Sequence, residues 1–252
     1  MGLVAAWRAA VPMAVRDRIA HARSRVSPFA GTTYYSGEGE DALILGWFRY
    51  SGVDPAKIRY VDIGAAHPVR MSNTYILYRL GARGLLVEPD PTQARALRRA
   101  RPNDIVVEAG IAFDERRSAR LYRLTSGVFN TFSREKAERV VADSQNWLPH
   151  MRQSIVDVTE VPLIPVNDII RQHLADPPNL VSIDTEGTEF AILESLDLGL
   201  LSSGDDAPCM ICFERGHEDY ARLCQVLGPA GFEMASRTPS NWIFMRNKEK
   251  IR

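Results

Sequence analysis

Short apolar runs alternate along this chain with stretches of helical spacing, and three of the runs end in a carboxylate. Arg59 to Ile63, Gly84 to Val87, Ile105 to Val107, Leu180 to Ile183 and Met210 to Phe213 read as strands. Thr74 to Leu80, Thr92 to Ala100, Asn167 to Leu174, Phe190 to Leu196 and Asp219 to Leu227 read as helices between or after them. Strands separated by helices of this length require right-handed crossovers, and hence a parallel sheet covered by helices on both faces. Asp41 to Tyr50, with Leu43, Ile44, Trp47 and Phe48 on one face, predicts a helix ahead of the first strand, closed by Gly52 and Pro55. Glu233 to Ala235 and Trp242 to Met245 predict a closing hairpin. Residues 111 to 160 are less regular, with strands expected over Arg120 to Leu124 and Ile155 to Val161 and a helix over Arg134 to Ala142.

The 252 residues divide into an N-terminal helix and loop over 1–35 and one domain over 36–252, with a less regular insertion near 125–160. Lys and Arg total 31 and so do Asp and Glu, so no net field draws nucleic acid. Basic charge is concentrated instead in residues 1–26, where Arg8, Arg16, Arg18, Arg23 and Arg25 face Asp17 alone. Val4, Trp7, Val11, Val15 and Ile19 make an apolar stripe there, suited to a membrane surface, a second subunit or the chain's own domain. No stretch is long and apolar enough to span a bilayer, which predicts a cytoplasmic protein with membrane association through that leader as the variant. Cys209 and Cys212 form a C-x-x-C inside an apolar run, and buried strand thiols in a reducing compartment are expected.

Three segments carry the chemistry. Tyr60-Val61-Asp62-Ile63-Gly64-Ala65-Ala66-His67-Pro68 ends a strand in small residues, which lets a ligand reach backbone N–H groups at the carboxyl edge of the sheet. The dinucleotide fingerprint fails, since Gly64 is its only glycine, and no phosphate-binding G-x-x-x-x-G-K-[ST] occurs. Leu85-Leu86-Val87-Glu88-Pro89-Asp90-Pro91 places Glu88 at the end of the next strand, where a carboxylate accepts from ribose hydroxyls, with Pro89 and Pro91 as an apolar edge for a base. Ser182-Ile183-Asp184-Thr185-Glu186-Gly187-Thr188-Glu189 delivers Asp184 to the same edge. Glu214, ending the following strand, is expected to face it, as a pair of oxygens for Mg²⁺ or as a structural partner of Arg215 or His217. Asp184 is the leading catalytic candidate and His67 the second candidate base; the alternative for His67 is a capping histidine.

Taken together, these segments resemble the FkbM-type family of class I, S-adenosylmethionine-dependent methyltransferases, over about Ser36 to Arg246. The likeness includes Ser36-Gly37-Glu38-Gly39-Glu40-Asp41, Val61 to Pro68, Met71-Ser72-Asn73-Thr74-Tyr75, Gly81, Val87-Glu88-Pro89 and Ser182 to Glu189. Glu88 departs from the family pattern in being followed by Pro-Asp-Pro rather than Pro-Asn. The resemblance implies a Rossmann-like α/β sandwich with a seven-stranded, mostly parallel sheet of order 3-2-1-4-5-7-6. It also implies cofactor contacts at Asp62, Gly64 and Glu88, with the helix start at Glu40 and Asp41 over the methionine end; Ala65, Asn73, Pro89 and Gly110 complete the candidate set. The implied reaction is methyl transfer to a hydroxyl of a sugar, glycolipid or secondary metabolite, a small-molecule or glycan acceptor. A metal-dependent glycosyltransferase using Asp184-Thr185-Glu186 is the alternative.

Overall fold

The computed structural model describes residues 33–202, 207–215 and 220–246. The basic leader over 1–26 and His217 lie outside the described residues. In chain order the elements are α1 (Glu40–Tyr50), β1 (Arg59–Ile63), α2 (Tyr75–Arg79), β2 (Arg83–Val87), α3 (Pro91–Ala100) and β3 (Ile105–Val107). Then come β4 (Gly110–Ala112), β5 (Ser118–Leu124), α4 (Arg134–Ser144), β6 (Ile155–Pro165) and α5 (Val166–His173). The chain continues through β7 (Leu180–Ile183), α6 (Glu189–Ser195), β8 (Cys209–Glu214), α7 (Tyr220–Leu227), β9 (Glu233–Arg237) and β10 (Asn241–Arg246).

Seven strands make one sheet in the order β3-β2-β1-β7-β8-β10-β9. The first five pair in parallel, while β10 runs antiparallel to both of its neighbours. Numbered among themselves these strands have the expected order 3-2-1-4-5-7-6, and the last in sequence is the antiparallel one. The order reverses between β1 and β7, the switch point at whose carboxyl edge open α/β sheets form a crevice.

Strand alternation divides the core into two layers. Val61, Ile63, Leu85, Val87, Ile211 and Phe213 point to one face, and Tyr60, Leu86, Met210 and Cys212 to the other. Cys209 belongs to the first layer and Cys212 to the second, so the C-x-x-C thiols lie on opposite sides of the sheet and are both buried and free. The less regular stretch proves to be a separate three-stranded sheet, β4-β6-β5, with β6 parallel to β4 and antiparallel to β5. Among the described residues no helix is long and apolar enough to cross a membrane.

Candidate active site

The turn after β1 fits only because residue 64 is glycine. Its φ is +83°, and a Cβ there would lie 1.7 Å from the carbonyl oxygen of Asp184. The loops after β1 and β7 therefore touch backbone to backbone, with the Asp184 N–H donating to the Ile63 carbonyl at 3.0 Å. Gly64 and Ala65 donate in turn to the Val87 carbonyl at 2.9 and 3.2 Å, which ties in the end of β2. Ala66 follows at φ +44°, a strained value for a residue with a Cβ.

Glu88 stands just beyond β2. One carboxylate oxygen accepts from the Ala66 N–H and the other from the Asp90 N–H, both at 2.8 Å. Burial raises its pKa to about 7, against the two backbone donors that lower it. Asp90 caps α3 by accepting from the Thr92 N–H at 2.7 Å, and its other oxygen accepts from Arg123 Nε and Asn130 Nδ2, each at 2.9 Å. The Pro-Asp-Pro sequence thus supplies the anchor for the side sheet and the loop beyond it.

Across the crevice, Asp184, Glu186 and Glu214 each bring a carboxylate oxygen within 4.8 Å of the others. Parallel pairing of Ile183 with Phe213 sets Asp184 beside Glu214, and the two carboxyls hydrogen-bond. Burial and the neighbouring negative charges raise Asp184 to about 7 and Glu214 to about 10, so the pair holds a proton at neutral pH. Glu186, at φ +60°, is clamped from α4 and the segment before it: Lys136 Nζ lies 2.5 Å from its carboxylate, and the Thr131 hydroxyl donates to its carbonyl at 2.8 Å. Glu189 is a loop brace, accepting from the Thr185 and Gly187 N–H groups at 2.9 and 2.7 Å.

These walls enclose a cleft of about 430 Å³. Glu40, Gly64, Asn73, Glu88, Pro89, Gly110, Asp184 and Glu214 line it, so most of the residues singled out from sequence are brought together. Four others do not line it. Asp62 shares the face of Tyr60 and is buried beneath the site, accepting from the Thr74 hydroxyl at 2.5 Å. Asp41 braces the start of α1 through Tyr35 N–H and Ser36 Oγ, both at 2.7 Å. Ala65 belongs to the second core layer. His67 Nδ1 accepts from the N–H groups of Val69 and Arg70 at 3.1 and 2.9 Å, and burial with the Arg70 charge lowers its pKa; this is a turn-capping role.

Other contributors gave no signal in sequence. The roof over the cleft is the 127–132 loop, with Val128, Phe129 and Phe132, and Phe129 packs on Trp147 at 5.6 Å between ring centroids. Lys136 reaches Glu186 across 50 positions of sequence, a distance no local pattern reports. Arg101, wholly buried at the end of α3, pairs with Asp104 at 2.7 Å and donates to Tyr60 Oη and Thr74 Oγ1, forming the polar floor that holds Asp62. Only the N-cap role of Asp90, directly before a Pro-led helix, follows a readable rule.

The chain is similar in overall architecture to solved methyltransferase structures of low identity. A TehB-like SAM-dependent methyltransferase from Corynebacterium glutamicum aligns at 13% identity over 92% of this chain and 98% of that one, with a TM-score of 0.42. Fibrillarin from Aeropyrum pernix, solved with natively bound S-adenosyl-L-methionine, aligns at 13% identity over 82% and 76%, TM-score 0.42. An O-methyltransferase from Bacillus cereus in complex with SAH aligns at 11% identity over 82% and 79%, TM-score 0.40. No curated protein matches the sequence significantly. The family model of the methyltransferase FkbM domain matches residues 62–234, from β1 into β9, and takes in Gly64, Glu88, Asp184 and Glu214. The chain belongs to the FkbM methyltransferase domain family.

Proposed function

We propose that the cleft binds S-adenosylmethionine and that the protein transfers its methyl group to a hydroxyl of a sugar, glycolipid or secondary metabolite. The observation that carries this reading is Glu88, a buried carboxylate on the cleft wall beside a turn without a Cβ at Gly64. Two backbone donors leave acceptor capacity on both oxygens for a ribose, at roughly 1.5–3 kcal/mol per charge-assisted bond. Glu40 suits the ammonium of the methionine end. Burial acts to raise its pKa, but hydrogen bonds from Thr238 and the Glu38 backbone outweigh this and hold it low. The carboxylate thus stays ionised among neutral donors. Pro89, Ala109, Gly110 and Ile111 form an apolar end suited to the purine.

S-adenosylmethionine, when bound, supplies an electrophilic methyl group. The chain has to orient an acceptor hydroxyl and take up its proton; alignment is worth roughly 7–11 kcal/mol. Asp184 and Glu214, sharing one proton, leave one ionised oxygen in the cleft as general base. Glu186 is engaged by Lys136, so all three carboxylates already have a proton or a cation as partner, which favours the base reading over Mg²⁺. The same ion pair occupies the Glu186 needed by the glycosyltransferase alternative, which family membership also opposes.

Calorimetry tests the cofactor reading. The native chain should bind S-adenosylmethionine, and Glu88→Ala should bind it at least about ten-fold more weakly, a loss of about 1.4 kcal/mol, while remaining folded. Equal affinity removes Glu88 from the site. The base is tested by Asp184→Asn, which should lower turnover strongly with cofactor affinity retained, and by assay in EDTA, where the native enzyme should keep its activity. Loss in EDTA with recovery on adding Mg²⁺ would instead make Asp184 and Glu214 metal ligands.

A further inference from the structure

A second, smaller pocket of about 150 Å³ adjoins the main cleft, and Ile111, Phe132 and Thr188 line both. Beyond that shared wall the smaller space has an apolar side, Phe113, Ala119 and Leu163, facing a polar one formed by Arg116, Thr131 and Ser133. The Phe132 ring sits directly on the backbone of Gly110: a Cβ at residue 110 would lie 2.6 Å from Phe132 Cζ and 2.7 Å from Leu163 Cδ2. Phe132 here meets both Gly110, which lines the main cleft, and the space of Leu163, which lines the smaller pocket. The backbone is fixed on either side of Phe132, since Thr131 donates to the Glu186 carbonyl and Ser133 Oγ accepts from the Lys136 N–H at 3.1 Å as the N-cap of α4. Removing the ring therefore opens a passage without loosening the loop that carries it.

We propose that Phe132 closes the purine end of the cleft and that the pocket behind it is a latent subsite for an apolar, ring-sized group. Phe132 then sets the size of the base the protein accepts in its cofactor. This rests on the purine lying at the Gly110 end of the cleft, as inferred above. Its volume of about 150 Å³ is that of a benzene-sized guest, and the Phe113, Ala119 and Leu163 side offers such a ring apolar contact. The exocyclic amine is the position on a purine from which a substituent extends beyond the ring edge, so a group carried there is the probe of this space.

The experiment compares S-adenosylhomocysteine with its N6-benzyl derivative by calorimetry, the readout being the affinity ratio within each protein. The native chain should bind S-adenosylhomocysteine and discriminate against the N6-benzyl compound by about 100-fold or more. Phe132→Ala should bring the two within about ten-fold, and adding Leu163→Phe, which fills the pocket, should restore discrimination. Phe132→Leu, which removes the ring edge but keeps an apolar side chain over Gly110, should narrow the ratio by about three-fold or more and serves if the alanine variant does not fold. A native chain that binds both compounds equally, or a folded Phe132 variant with an unchanged ratio, overturns the proposal. Failure of the native chain to bind S-adenosylhomocysteine overturns the cofactor reading beneath it.

Discussion

Glu88 is held by two backbone N–H groups and yet titrates near neutrality, because burial outweighs both hydrogen bonds. Its pKa rises from 4.5 in the unfolded chain to about 7 in the fold. The native state therefore keeps a proton that the unfolded state has released, and the stabilisation this gives is complete below pH 4.5 and lost as pH rises through 7. In Glu88→Gln no such titration exists. The unfolding free energy of the native chain relative to that variant should fall between pH 4.5 and 8 by an amount on the order of 3 kcal/mol, read from urea denaturation without cofactor. A constant difference would mean that Glu88 is ionised throughout. Asp62 shows how a similar strand-end carboxylate takes another role. Being within the strand and on the Tyr60 face, it points at Thr74 and the buried Arg101, whereas Glu88, one step past its strand, reaches the cleft.

At the scale of elements, the side sheet packs Ile111 and Ile164 against the main core, and a few polar contacts tie it and α4 to the main sheet around the cleft. Asp90 joins α3 to β5 through Arg123, and Arg123 continues to Asp157 on β6 at 3.1 Å. Gln93 Nε2 donates to the Gly127 carbonyl at 2.9 Å, and Lys136 fastens α4 to the loop after β7. Asp90→Ala removes a helix cap and one acceptor each of Arg123 and Asn130 together. It should lower stability by about 1–3 kcal/mol in chemical denaturation and raise hydrogen exchange over 123–132 more than in the main sheet. A uniform rise would show the roof to be held elsewhere. Strands β5 and β6 and this helix were legible singly in the hydrophobic pattern, Arg134 and Ile155 starting their elements where expected, whereas β4 was not read as a strand. Their assembly into a second sheet was not, because β4 spans only Gly110–Ala112 and its partner lies some fifty positions away.

For the whole molecule, every cleft-lining residue among the described residues falls between Gly37 and Asn241. A chain truncated to begin at Ser27 should therefore bind S-adenosylmethionine with native affinity, and if residues 1–26 serve a membrane or a second copy, it should lose liposome association or change its mass in solution. Unfolding of the truncated chain would instead make the leader part of the core. Sequence by itself determined the class of fold, since apolar strands alternating with amphipathic helices have one economical solution, a parallel sheet covered on both faces. It determined too which strand ends would carry Gly64, Glu88, Asp184 and Glu214, because a strand's end and its neighbours are local facts. Tertiary structure alone decided which carboxylates face the cleft and what partners them. Asp62 was taken up by Thr74 and the buried Arg101, His67 became a cap once its ring met two N–H groups, and Lys136 and Phe132 came from a distant segment to complete the walls. Local sequence carries the period that sorts residues into elements and faces, but side-chain partnership depends on contacts between segments far apart in the chain, and these exist only after the elements have packed.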